Sequence, residues 1–324
     1  MTMTRAAGPR ILSMRRGRPF MPPEQVRQER RRNLVAYAYL APWIIGMVAF
    51  LLGPLLFSLY MSFTDYSLEI PARWVGFDNF REMVGEDYRF WLSLRITGVY
   101  LLLSVPIYMV FGLLGALLLN QRVWGIRVFR TILFLPSVLS GVAVAVLWQQ
   151  LLNPDVGVVN SLLRGLGVAH PPGWFNDPGW AVPAMVVTGL WGVVGGGAII
   201  YLAGLQNISP GLYESAMIDG AGALRRFWHV TLPMLTPTLF FTLLTSIIGA
   251  FQIFDTAYTI GGANGGNGNS LLFYLLYVWQ AGFRDGRLGY AAALSWVLFV
   301  IGAVVVLVLM RTSERWVYYE NEAR

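Results

Sequence analysis

SPGLYESAMIDGAGALRRFWHVTLP, residues 209–233, lies between two long apolar runs. Ser209 and Pro210 have the grammar of a helix start. A side-chain oxygen stands at the N-cap, and proline follows at the first helical position, where no amide hydrogen bond is lost. Tyr213, Met217 and Ala221 fall four apart on one helix face, with Leu212 and Ala216 beside them. Gly220 and Gly222 supply the stop, because glycine tolerates the left-handed geometry that ends a helix. Residues 223–228 can begin a second short helix, and Pro233 marks the bend into the next apolar run. Two helical turns do not stand alone in water, because nucleation costs too much. The helix therefore packs on its own bundle or docks on a partner, and spacing leaves both open.

The runs on either side set the fold class. Of 324 residues, 56% are hydrophobic and 13% charged, whereas soluble domains are about a quarter charged. Six charge-free runs cover 34–60, 96–119, 131–152, 180–205, 232–254 and 288–310. Each has the roughly 20 residues a helix needs to cross the hydrocarbon core. A backbone in lipid must satisfy its own hydrogen bonds. The expected fold is an all-α integral membrane protein with six transmembrane helices.

Sidedness follows from arginine. With the N-terminus inside, 17 Arg fall on inside segments and seven on outside ones. The positive-inside bias then puts both termini and the 209–233 loop in the cytoplasm. Nine of the 17 lie in residues 1–33, which lack apolar periodicity and read as a flexible tail. The chain then divides into a first span (34–63), an outside cap loop (64–90), a core (91–312) that includes the loop at 206–233, and a cytoplasmic tail (313–324). The cap loop is acidic and carries Trp74, Phe77 and Phe80 around turn formers, so it should pack on itself. Residues 153–179 read as turns with a short helix. The low-complexity 261–270 (GGANGGNGNS) is expected to be mobile.

Several chemistries are excluded. There is no Cys, so no disulfide, thiolate catalysis or Cys-ligated metal. All 24 basic residues are Arg, which rules out a G-x-x-x-x-G-K-[ST] phosphate loop and a Schiff-base lysine. If ATP drives this protein, another chain binds it. The net charge of +7 reflects membrane topology rather than nucleic acid, because the Arg residues gather at one end and in alternate loops. His170 and His229 have no partner at metal-ligand spacing, and the runs hold no nucleophile–base set, so the chain itself is not read as an enzyme. Arg95, at the outer end of the second run, is expected to snorkel.

The stretch Glu214-Ser215-Ala216-Met217-Ile218-Asp219-Gly220, continued by Phe227 and Leu232-Pro233, resembles the EAA loop of ABC importer permeases of the MetI-like fold. Ser215 replaces the middle Ala of that motif, and Val230 replaces a usual Ile. Upstream, Ala203-Gly-Leu-Gln206 resembles the family's lead-in to that motif; Phe129 to Pro136, Ala41-Pro-Trp43 and Phe251-Gln-Ile-Phe-Asp255 resemble the carbohydrate-uptake branch, although the Pro common after the glycines beyond Ile260 is missing. The resemblance covers about residues 34–312. It implies a coupling helix docked in a cytoplasmic ATPase dimer, which would hold ATP and magnesium. Glu214 would be the polar contact, Gly220 the turn, and Tyr213, Met217 and Ala221 the apolar plug. It also implies a second permease subunit and an extracytoplasmic solute-binding protein, with no cofactor in this chain.

Substrate-contact candidates are the few polar or small residues within runs. Ser137, Ser140 and Gly141 follow Pro136; Gly192 and Gly196 lie in WGVVGGG; Ser246 and Gln252 lie along the fifth run, with Asp255 at its outer edge, and Ile253 is added by the resemblance alone. All but Ser140 and Asp255 fall where the family's sugar contacts would be. A buried amide such as Gln252 needs partners. Small residues also serve helix packing, and Asp255 at the outer edge can cap or gate. A phosphate substrate would favour Arg near the path, and none lies mid-run. A neutral sugar or oligosaccharide is therefore preferred to glycerol phosphate or a polyol. A secondary transporter is disfavoured because ion coupling uses ionisable groups near the midplane.

Overall fold

The second apolar run forms the longest helix, Tyr88–Leu119, of 32 residues. Its N-cap is Asp87, whose carboxylate accepts from the amides of Arg89 (2.9 Å) and Phe90 (3.3 Å), pairing donors that a helix start leaves orphaned. This is a computed structural model, and it describes residues 23–67, 69, 71–121 and 125–318; of these, the side chains of 23–31, 33–34, 126–127 and 136–138 fall outside the description. The chain divides into two compact units, Met1–Phe57 and Ser58–Arg324.

The first unit is helical from Pro23, so residues 23–33 are not the unstructured tail their composition implied; residues 1–22 lie outside the description. The helix widens to a π turn at Val48–Leu52, just before Pro54, which has no amide hydrogen to donate. The second unit is built around Tyr88–Leu119, which packs on Ala181–Gln206 and on Thr236–Phe251. One apolar core centres on the fully buried Leu271, Leu272, Phe273, Tyr274 and Tyr277. A second, toward the 209–233 loop, joins Ala116, Leu119, Ala198, Tyr201, Leu205 and Leu235.

Among the described residues, four helices are long and apolar enough to cross a membrane: Val35–Met61, Tyr88–Leu119, Ala181–Gln206 and Leu288–Ser313. They correspond to four of the six runs. The other two runs are broken. The third forms Ile126–Val138 and Gly141–Leu151, interrupted at Leu139 and Ser140. Ser140 is extended and caps the second piece, its hydroxyl accepting from the Ala143 amide at 3.3 Å. The fifth is bent by 64° between Ala223–Met234 and Thr236–Phe251. The bend falls at Leu235, two residues beyond Pro233. There Pro237 cannot donate and its ring crowds the carbonyl four residues back. The fifth run breaks again at Gln252, Ile253 and Phe254 before Asp255–Gly261 begins.

The WGVVGGG segment makes a π turn at Val193–Gly197 within Ala181–Gln206. A Cβ on Gly195 would lie 1.7 Å from the Leu133 carbonyl oxygen. Glycine is what lets these two helices touch backbone to backbone.

The cap loop packs as expected. Strands Thr64–Asp65 and Arg73–Trp74 pair antiparallel, and Asp78–Gly85 is a helix. Phe63 lies against Trp74, Phe77 and Phe80 at ring distances of 5.3–5.6 Å. Asn79 donates to the carbonyls of Ser62 and Thr64. The glycine-rich 261–270 departs from the mobile segment its composition implied. It folds into defined turns, with Gln280 and Arg284 donating to the Ala263 carbonyl and Asn267 donating to that of Asn176.

Candidate functional site

The loop helix is Pro210–Ile218. Ser209 is its N-cap residue, but its hydroxyl makes no capping hydrogen bond. Gly220 ends the helix with φ +77°, and the amide of Ala221 reaches back to the Ala216 carbonyl at 2.9 Å, a Schellman-type closure. Gly222 plays a different part from the stop read in sequence. It is extended and precedes Ala223–Arg226, which runs on as helix through a π turn at Phe227–Thr231.

The structure splits the predicted apolar plug. Tyr213 turns inward, packs against the Ala116–Leu235 core cluster, and its hydroxyl lies 3.1 Å from that of Thr231. Ala216 and Ala221 are half-buried. Met217 is exposed, and with it Leu212, Ile218 and Leu224, the last two at 87% and 73%. The outward apolar surface is therefore Leu212, Met217, Ile218 and Leu224 rather than Tyr213, Met217 and Ala221. Helical spacing alone cannot say which stripe the bundle takes. Glu214, Ser215 and Asp219 are exposed, and neither carboxylate joins an ion pair among the described residues.

At the other end the two helix breaks converge. A cavity of about 240 Å³ is lined by Leu139 and Gly141 from the third run, Gly189 and Gly192 from the fourth, Ile253 from the fifth and Thr256 just beyond it. Tyr100 and Thr188 also face it. Non-helical backbone at membrane depth is tolerated where it is buried in protein or lines a cavity, and transporters place substrate between such broken helices. A second, more open cavity of about 770 Å³ is lined by Gln252, Phe254 and Asp255 with Ser295 and Phe299 from the last helix.

Of the residues singled out in sequence, Gly141, Gly192 and Ile253 line the smaller cavity, and Gln252 and Asp255 the larger. Gln252 is exposed in this chain, so the argument from a buried amide does not hold for it. Ser140 caps a helix at the break. Gly196 sits in the π turn and lines neither cavity, as does Ser246, which is half-buried on Thr236–Phe251. The side chain of Ser137 lies outside the described residues.

Tyr100 and Thr188 escaped the sequence reading. Tyr100 Oη lies 3.2 Å from Tyr108 Oη, which donates to the Val186 carbonyl at 3.0 Å. The signal was present: both tyrosines lie well inside the second run, away from the interfaces where tyrosine usually sits.

The cap end carries a polar network. Asp87 also accepts from the hydroxyls of Tyr277 and Tyr290. Arg287 grips Glu82 through two hydrogen bonds of 2.6 and 2.5 Å, and Arg89 pairs with Asp285 at 3.2 Å. Burial and the hydrogen bond to Asp87 push the Tyr277 phenol up. Burial pulls Asp285 upward too, but Arg284 and Arg89 outweigh it and hold that carboxyl below its usual range.

Residues 83–319 match the family described as binding-protein-dependent transport system inner membrane component. A probable ABC transporter permease protein, YesP, from Bacillus subtilis is 40% identical, over 91% of this chain and 96% of its own. A lactose transport system permease protein, LacF, from Rhizobium radiobacter is 36% identical over 86% and 93%. A chain of a bacterial alginate ABC transporter, solved in complex with an alginate pentasaccharide-bound periplasmic protein, superimposes with a TM-score of 0.73 at 27% identity, over 89% of this chain and 96% of that one.

Proposed function

The chain belongs to the family of binding-protein-dependent transport system inner membrane components, and from that premise we propose that it is the membrane-spanning permease subunit of an ABC importer for a sugar or oligosaccharide. The observation that carries this reading is the loop helix. It presents Glu214 and an apolar surface away from the bundle while Tyr213 anchors it to the fifth run. Such a surface is unfavourable in water and fits a docked partner. The partner is a cytoplasmic ATPase dimer, which holds ATP and magnesium; Glu214, Met217, Ile218 and Gly220 carry its motion inward. A second permease completes the pathway, and an extracytoplasmic binding protein delivers substrate. Both termini are placed in the cytoplasm in this reading, which the arginine bias supports.

Relatives that transport lactose and arabinooligosaccharides support a sugar substrate. Among the described residues no charged side chain lines the smaller cavity, and the one charge on the larger is the carboxylate of Asp255. This favours an uncharged sugar over glycerol phosphate or an acidic sugar. Gly141, Gly192, Ile253, Tyr100 and Thr188 would shape the site, with Gln252 and Asp255 on the open side toward the second permease.

The test is purification of the tagged chain from its native membrane, with uptake of radiolabelled sugars measured in parallel. Co-purification of an ATPase and a second permease, with uptake lost on ATP depletion, is the expected result. Uptake that survives ATP depletion in their absence refutes the importer reading.

A further inference from the structure

Near the cap end of the second run lies a groove of about 430 Å³ that the transport reading does not use. Arg95 stands at it, and Leu92, Val99, Leu103, Gly268 and Ser270 help line it. Arg95 is the last charge before the charge-free run 96–119, which places it at headgroup depth. It is exposed and belongs to no ion pair among the described residues. Among the described residues no acidic side chain lines the groove. The Ser270 hydroxyl oxygen is buried and has no hydrogen-bond partner; the residue is only 9% exposed. A buried hydroxyl without a partner costs free energy. An unpaired guanidinium on the same groove points to an anionic acceptor for both.

We propose that this groove binds a membrane glycerophospholipid, its phosphate held by Arg95 and Ser270 and one acyl chain lying over Val99 and Leu103. Two features select a lipid. The groove has an apolar floor that an inorganic anion would not need. Val99 and Leu103 are 41% and 39% exposed and lie about 6 and 12 Å deeper than Arg95 at about 1.5 Å per residue. The depth is right as well. Tyr88 and Trp91, exposed at the same end of the helix, mark the aromatic belt of the interface. The bound lipid would join the second helix to the turn around Pro178 and to the glycine-rich loop through Ser270.

The test is native mass spectrometry of the full chain, purified gently with the subunits that accompany it and titrated with phosphatidylglycerol. Arg95→Gln should weaken binding of the first lipid about fivefold. Arg95→Lys should retain most of it, and Ser270→Ala should lose less than Arg95→Gln. Arg164→Gln, whose guanidinium already bonds the carbonyls of Pro154 and Asp155, should bind lipid as the parent does. Equal lipid binding by the parent and Arg95→Gln overturns the proposal. Displacement of the lipid by millimolar inorganic phosphate also overturns it, in favour of a free anion. Because the chain has no cysteine, Val99→Cys can be labelled with a lipid-soluble maleimide. Labelling in the intact assembly is expected. Labelling only after the accompanying subunits are stripped away means that a protein covers the groove, and the lipid assignment fails.

Discussion

The hydroxyls of Tyr213 and Thr231 lie 3.1 Å apart, tying the loop helix to the π turn that leads into the fifth run. Tyr213 is thereby a joint between loop and bundle. Tyr213→Phe should keep the packing and lose one hydrogen bond, about 1 kcal/mol, with a modest loss of uptake. Tyr213→Ala should also lose the ring's contact with the core and lower coupling sharply. The measurement is sugar uptake per ATP hydrolysed in proteoliposomes. Equal coupling in Tyr213→Ala and the parent rules out the joint.

Gly220 holds φ +77° at the end of the loop helix, and no atom would meet a Cβ there. Gly220→Leu should therefore act through backbone strain alone, about 1–2 kcal/mol, and should disorder the turn that follows. Glu214→Ala should leave the helix intact and remove its exposed carboxylate. Both variants should fold, and assemblies that contain them should hydrolyse ATP without moving sugar. Normal uptake in both disconnects the loop from transport.

Two glycines three residues apart separate helix packing from cavity space. A Cβ on Gly195 collides with the Leu133 carbonyl, whereas one on Gly192 meets nothing within 4 Å and faces the smaller cavity. Gly195→Ala should lower the melting temperature in detergent, at a cost of about 2 kcal/mol or more from overpacking. Gly192→Val should melt like the parent but cut uptake at least tenfold by occupying the cavity. Unchanged uptake in Gly192→Val moves the substrate elsewhere.

Asp87 caps one helix and accepts from tyrosines on two other segments. Asp87→Ala should cost about 1 kcal/mol for the cap and more for the hydroxyls of two buried tyrosines left without an acceptor. Asp87→Asn should cost less, and thermal melting separates the two. Asp285, held below its usual range by Arg284 and Arg89, gives this end a pH dependence with a definite sign. Its contribution is present above the ordinary carboxylate pKa of about 3.9 and is lost as pH falls through its lower folded value. Stability should therefore drop in strong acid, and Asp285→Asn should flatten that drop.

Local chemistry wrote much of this fold openly. Charge-free length gave the four long helices to within a few residues, apart from the earlier starts at Pro23 and at Tyr88, the second of which Asp87 sets. Gly220 announced its turn, and Trp74, Phe77 and Phe80 announced the packed cap. The breaks were harder to see. Leu139 and Ser140 interrupt a run that remains apolar throughout, so hydropathy has nothing to report there. The face of the loop helix was also hidden, since Tyr213 and Met217 share a stripe and only the position of Thr231 decides which one turns inward. The 261–270 loop misled because its composition is that of a linker, whereas its order comes from Gln280, Arg284 and Asn176, distant in sequence. The smaller cavity was half legible: Gly141, Gly192 and Ile253 carried a signal, and Tyr100 and Thr188 were passed over as ordinary span residues.

The 64° bend at Leu235 has a mechanical consequence. Its first arm, Ala223–Met234, begins beside the loop helix, and its second, Thr236–Phe251, ends at the break that holds Gln252. A bend well past half a right angle turns most of an axial push on the first arm into sideways motion of the second. Under the coupling proposed above, the fifth run would work as a bell crank, with buried Leu235 as its pivot. A stroke entering along one direction would leave across it, at the wall of the cavity.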